Sequence, residues 1–134
     1  MNFEACFKFL AERLKDEVIV TSAGNCSELW WEVTRETERV FYLEASMSLA
    51  SLFAAGIALG APERTVVAFS GDGAKFHQSN ALYLEPVIRA IDMPFVAIER
   101  SDDIPRLATA YRHSRTLSRP VVVGFTREVL RGEA

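Results

Sequence analysis

The sequence predicts an α/β fold: three layers, with a mainly parallel sheet of about five or six strands and helices on both faces. Three observations predict it. Short apolar stretches at 18–24, 40–45, 65–70, 94–99 and 120–125 alternate with helical patterns. The stretches are apolar throughout rather than at every second position, the mark of strands buried on both faces. No repeat, linker or low-complexity segment interrupts the alternation.

The elements follow in order. Residues 3–15 set Phe3, Cys6, Phe7, Phe9, Leu10 and Leu14 at helical spacing, with Lys8, Glu12, Arg13 and Lys15 on the polar side. Strand 18–24 ends at Gly24, and SELWWEVTRE then reads as a helix capped by Asn25 or Ser27. Strand 40–45 leads into a helix of small residues over 46–60, and an Ala-Pro-Glu-Arg turn precedes strand 65–70. A helix within 78–91 is interrupted, or restarted, at Pro86. After strand 94–99, a helix over 103–117 has Asp102 or Asp103 as its cap and Pro105 in its first turn. Strand 120–125 closes the pattern.

With 134 residues the chain suits one domain, 1–134, large enough to bury a core without disulfide or metal staples. A net charge of −3 and a pI near 5.4 argue against nucleic acid as a partner. The apolar stretches are far shorter than a membrane span. Two cysteines, Cys6 and Cys26, make neither a disulfide scaffold nor a four-thiolate zinc site. No basic segment precedes an apolar one at the start, so the expected location is cytoplasmic.

Ligands of open parallel sheets bind at the carboxyl ends of the strands. Three such ends, Thr21–Cys26, Glu44–Ser48 and Gly71–Lys75, are rich in small and polar residues and precede helix starts. Helix N-termini hold anions, so the pattern implies an anionic, phosphorylated ligand; ordinary tight turns are the plainer reading. His77 follows Gly71-Asp72-Gly73 and is either catalytic or structural. His113 sits among arginines on a solvent-facing helix. Cys26 is either a thiol activated by a helix N-terminus or a small packing residue. Trp30 and Trp31 cannot both face one core, which leaves one for a subunit interface. Arg106, Arg112, Arg115 and Arg119 form a solvated basic face or a patch for an acidic partner.

Residues 40–74, VFYLEASMSLASLFAAGIALGAPERTVVAFSGDGA, resemble the diphosphate-binding domain of thiamine-diphosphate enzymes, nearest to the small decarboxylases of sulfopyruvate and phosphonopyruvate. Ala45-Ser46-Met47-Ser48 stands at the family's Gly-Ser-Met-Gly-like turn, Ala50, Ser51 and Gly56 keep its helix pattern, and Gly71-Asp72-Gly73 its closing motif. VTSAGNCSEL (20–29) resembles the first strand and anion loop, and SRPVVVGF (118–125) the last strand. The resemblance implies the thiamine-diphosphate-binding fold, with thiamine diphosphate and Mg²⁺ as cofactors. It implies Gly24, Asn25, Ala45, Ser46, Met47, Gly71, Asp72, Gly73, Ala74 and Arg100 as cofactor-binding residues, and Asp72 as the metal ligand. The Ala45 carbonyl would face the aminopyrimidine and Met47 would lie under the bent cofactor. The activity implied is decarboxylation of a small 2-oxo acid in a homo- or hetero-oligomer, with a pyrimidine-binding subunit supplying the activating Glu.

Two departures stand out. Where the family carries an Asn metal ligand at the end of the next strand, this chain has Glu99-Arg100. Arginine has no lone pair to donate. Arg100 therefore neutralises the diphosphate itself, or Asp102 or Asp103 supplies the oxygen, or the metal site is lost, or Arg100 is simply a solvated charge. The family's lid segment is also missing, because Ser101–Asp103 runs directly into the last helix. Two alternatives remain: a non-catalytic binding or assembly module, and the pyrimidine-binding sister domain, in which Glu44 would be the strand-end glutamate.

Overall fold

The computed structural model describes residues 3–44, 49–71, 81–126 and 129. The elements are α1 (Phe3–Ala11), β1 (Val18–Ser22), α2 (Asn25–Thr34), β2 (Val40–Leu43), α3 (Ala50–Gly60), β3 (Val66–Phe69), α4 (Ala81–Ala90), β4 (Phe95–Ile98), α5 (Pro105–Leu117) and β5 (Val122–Phe125). The α/β class expected from the sequence is found, with every strand pair parallel. The five described strands form two hydrogen-bonded sheets, β2-β1-β3 and β4-β5. Each falls in a separate compact unit: Phe7–Gln78, and Met1–Cys6 with Ser79–Ala134.

In the unit Phe7–Gln78, β1 is the central strand. Ile19, Val20, Thr21 and Ser22 are all at most 2% exposed, so both of its faces are covered. Partners in a parallel register point the same way, and Thr21 is paired with Phe69 and Tyr42. On that face Phe69 meets Phe7 of α1 and Trp30 of α2, each with ring centroids 5.0 Å away, and Tyr42 meets Trp31 edge-on. Val20 points to the other face and packs with Ala50 and Ala54 of α3, bordered by Leu43, Ile57 and Val66. Phe41 on that face meets Phe53 of α3. The small residues of the 46–60 pattern thus let α3 lie close on β1. Of the two tryptophans only Trp30 is core, at 2% exposed, while Trp31 is 39% exposed.

The turn into β2 is built on one carboxylate. Glu36 accepts from the N–H groups of Thr37 and Glu38 and from Arg39 at 2.6 Å, and these contacts, that of Glu38 first, hold its carboxyl below the usual range. Tyr42 donates its hydroxyl to the Glu36 carbonyl at 2.9 Å, which ties β2 to the same turn.

In the unit containing Ser79–Ala134, α4 runs through Pro86 and ends in a left-handed Asp92, with Met93 N–H bonded to the Ile88 carbonyl and Asp92 N–H to Arg89. Arg119 donates to the Asp92 carbonyl at 2.6 Å and so ties this turn to the approach of β5. Gly124 lies under the ring of Phe95: a Cβ there would stand 2.7 Å from Phe95 Cζ. Gly124→Ala is expected to cost about 1–3 kcal/mol in urea denaturation, the usual cost of overfilling a packed site. A change below ~0.5 kcal/mol would show that the ring simply moves aside.

Burial pushes the Cys6 thiol up to about 11. Its thiolate is disfavoured in the folded chain, so native Cys6 should resist iodoacetamide at pH 8 and react once the chain is unfolded in urea. Mass mapping of the label checks this.

Candidate functional site

The chain leaves β1 for β2 on one side and comes back past β1 to β3 on the other, and for this reason α2 and α3 cover opposite faces. Such a reversal is a topological switch point, and its crevice opens at the carboxyl ends of the two strands concerned. Here these are the ends of β1 and β3. Gly71 follows β3 and donates its N–H to Ser22 Oγ, at the end of β1, at 3.3 Å.

Three buried hydroxyls fix this corner. Ser27 Oγ donates to the Ser22 carbonyl at 2.9 Å. That uses its one proton, so across the 2.8 Å contact Thr21 is the donor to Ser27. The pair locks the first turn of α2 onto the end of β1. It also explains why the helix start differs from expectation. Ser27 faces inward rather than capping, Asn25 is the first helical residue, and Gly24 occupies the N-cap with no side-chain cap bond. Gly24 has φ +83° and ψ −144°, a conformation essentially restricted to glycine.

Among the described residues, nothing lies within 4 Å of where a Cβ would stand at Gly24 or Gly71. Ser70 Oγ, beside Gly71, is buried without a hydrogen-bond partner among the described residues. Neither Ser70 nor the Thr21–Ser27 pair was flagged by sequence. Hydroxyls at the end of a strand carry no pattern of their own until the strand order is known.

Of the sequence-derived site residues, Gly24, Asn25 and Gly71 are thus brought to one sheet edge. Ala45, Ser46, Met47, Asp72, Gly73, Ala74 and His77 lie outside the described residues. Arg100 lies in the other unit, exposed, just after β4. Among the described residues no three His, Cys, Asp or Glu side chains gather as a metal site would require. Cys26 is buried in the first turn of α2, the position of a packing residue, and His113 is exposed.

The turn after β4 satisfies itself. Asp103 Oδ2 accepts from the N–H groups of Glu99 at 3.1 Å and Arg100 at 3.0 Å, and Arg106 stands 3.5 Å from its other oxygen. These contacts, that of Glu99 first, hold the Asp103 carboxyl below the usual range. Neither Asp102 nor Asp103 caps α5, contrary to expectation. They form a 3-10 turn, Ser101–Asp103, and α5 starts at Pro105 behind Ile104. The carboxylate expected to cap forward instead reaches back to the end of β4.

A further cavity of about 330 Å³ lies along α2 and β2, lined by Ser27, Glu28, Trp31, Thr37, Tyr42 and Glu44. No described helix is long and apolar enough to cross a membrane.

Fold and corner together define a parallel α/β unit with Gly24 and Gly71 at the carboxyl ends of β1 and β3, its switch point. No protein-family model matches the chain. The chain is 43% identical over 74 residues to the sulfopyruvate decarboxylase of Methanosarcina acetivorans. The match takes in 54% of this chain and 18% of that protein, so the chain spans under a fifth of its relative's length. Over part of its length the chain is therefore related to a decarboxylase.

Ser27→Ala should cost about 1–3 kcal/mol, because it leaves the buried Thr21 hydroxyl and Ser22 carbonyl without their partner. Chemical denaturation reads the loss. An unchanged midpoint would mean that the three hydroxyls do not hold α2 to β1.

Proposed function

We propose that this chain is the diphosphate-binding part of a thiamine-diphosphate-dependent 2-oxo acid decarboxylase, acting with a pyrimidine-binding partner subunit. The observation that carries the reading is the 43% identity to a sulfopyruvate decarboxylase in a chain with an open, glycine-lined switch point.

The residues present suit a diphosphate. Gly24 and Gly71 leave room for phosphoryl oxygens to approach the backbone, and the first turn of α2 presents its N–H end there. Ser70 has a hydroxyl proton to give. In this reading Asp72 would supply a hard carboxylate oxygen to Mg²⁺, the Ala45 carbonyl would accept from the aminopyrimidine, and Met47 would give the cofactor an apolar support. Bound thiamine diphosphate supplies the electron sink for decarboxylation. The protein's part is to orient the diphosphate, neutralise its charge through the metal, and present the reactive ring to the partner's glutamate.

A chain that grips only the diphosphate end should not strongly prefer the whole cofactor. Calorimetry with Mg²⁺ is expected to show thiamine diphosphate binding within roughly tenfold of inorganic pyrophosphate, that is within about 1.4 kcal/mol. Asp72→Ala should abolish the metal-dependent part. A folded chain that binds neither ligand with Mg²⁺ present refutes the reading.

A further inference from the structure

The cavity along α2 and β2 has no role in holding a diphosphate. At about 330 Å³ it is at the lower end of ligand-pocket sizes. Two elements of the Phe7–Gln78 unit line it. On α2, Glu28 and Trp31 are three residues apart and so share one helix face. Tyr42 and, just past β2, Glu44 are two residues apart and so project to one side of the sheet. Helix and strand thus each contribute one aromatic ring and one carboxylate.

The rings are set as two walls rather than as a stack. Tyr42 meets Trp31 edge-on, with centroids 6.0 Å apart and planes at 85°. The hydroxyl of Tyr42 donates to the Glu36 carbonyl at 2.9 Å, which fixes that ring at its far end. Neither carboxylate is satisfied by the protein. Glu28 and Glu44 have no ion pair or side-chain hydrogen bond among the described residues. Residues 25–44 hold five glutamates against two arginines, and both arginines are engaged. Arg39 bonds Glu36 at 2.6 Å, and the Arg35 guanidinium stands 5.1 Å from the centroid of the Trp31 ring. Ser27 also borders the cavity, but its hydroxyl is already spent on Thr21 and the Ser22 carbonyl.

These features select a class of ligand. Unpaired carboxylates repel an anion and attract a cation. Among the described residues no three acidic, His or Cys side chains gather as a metal ion would require. An organic cation gains where a metal ion does not, since the ring quadrupole attracts a cation that has little water to lose. Trp31 already carries one such group in the guanidinium of Arg35. An ammonium covered with methyl groups offers apolar surface to the rings and charge to the carboxylates at once.

We propose that this cavity binds a small methylated ammonium compound, its head against Trp31 and Tyr42 and its charge met by Glu28 and Glu44. The site stands whether or not the chain binds a diphosphate.

An NMR titration of the isotope-labelled chain with choline tests this, read at the two tryptophan indole N–H signals, which Trp31→Phe assigns. Sodium chloride at matched ionic strength is the baseline. Choline should shift the Trp31 signal saturably, with a Kd of roughly 1–10 mM, and move that of core Trp30 far less. Neohexyl alcohol, in which carbon replaces the charged nitrogen, should bind at least ~10-fold more weakly. Glu28→Gln/Glu44→Gln keeps the shape and removes both charges, and should weaken choline roughly fivefold or more. Neither carboxylate has a partner in the fold, and the spectrum of the double variant itself shows that it is folded. No saturable shift by about 50 mM choline overturns the proposal. So does equal binding of the neutral alcohol, the sign of a merely apolar hollow, or an affinity unchanged in the double variant.

Discussion

The burial of β1 on both faces is the constraint from which the rest of the Phe7–Gln78 unit follows. A strand with no solvent face must be apolar or fully hydrogen-bonded along its whole length. It needs a strand on each side, and β2 and β3 supply these. It also needs a helix layer on each face, and right-handed crossovers place α2 and α3 on opposite faces only if the chain reverses direction across the sheet. The reversal that completes the core therefore also sets the switch point at the carboxyl ends of β1 and β3. Core and candidate site have one cause.

The same constraint explains the polar residues at the top of β1. Thr21 and Ser22 are as buried as Ile19 and Val20, so each of their groups needs a partner. Ser27 serves both, accepting from Thr21 and donating to the Ser22 carbonyl. The link fixes where α2 begins and obliges Gly24 to take a backbone conformation closed to other residues. Local capping rules pointed to Asn25 or Ser27 because they weigh only the helix itself. The core competed for Ser27's hydroxyl and won.

That contrast marks how much was legible in the sequence. The centres of the five strands and five helices were, because uniformly apolar stretches and helical periodicity are written in consecutive residues, although only β1 has the two-face burial expected of all the strands. That Trp30 and Trp31 cannot both face one core was legible too, but which of them is buried was not. Boundaries moved where a side chain served a distant group. Asp103 reached back to β4 instead of forward into α5, and Ser27 turned inward. The division of the strands into two sheets was not legible, since an apolar stretch does not name its neighbour. The glycines of the site could be read from sequence, whereas Ser70 and the three-hydroxyl corner could not, because their meaning depends on which strand lies beside which.

The two carboxyl edges of this chain differ in how their backbone N–H groups are satisfied. At the end of β4 the N–H groups of Glu99 and Arg100 are already taken by the carboxylate of Asp103, which Arg106 in turn attends. An incoming phosphoryl group there would have to displace a bound carboxylate from inside its own turn. At the ends of β1 and β3 no carboxylate among the described residues accepts from the backbone. Gly24 and Gly71 stand clear of neighbouring atoms, and Ser70 holds a buried hydroxyl with no described partner. A buried polar group left unpaired costs free energy that a ligand's acceptor oxygen would restore. Ser70 at the one edge and Thr126 at the other each keep a buried hydroxyl with no hydrogen-bond partner among the described residues, so what separates the edges is that the N–H groups after β4 are taken by Asp103.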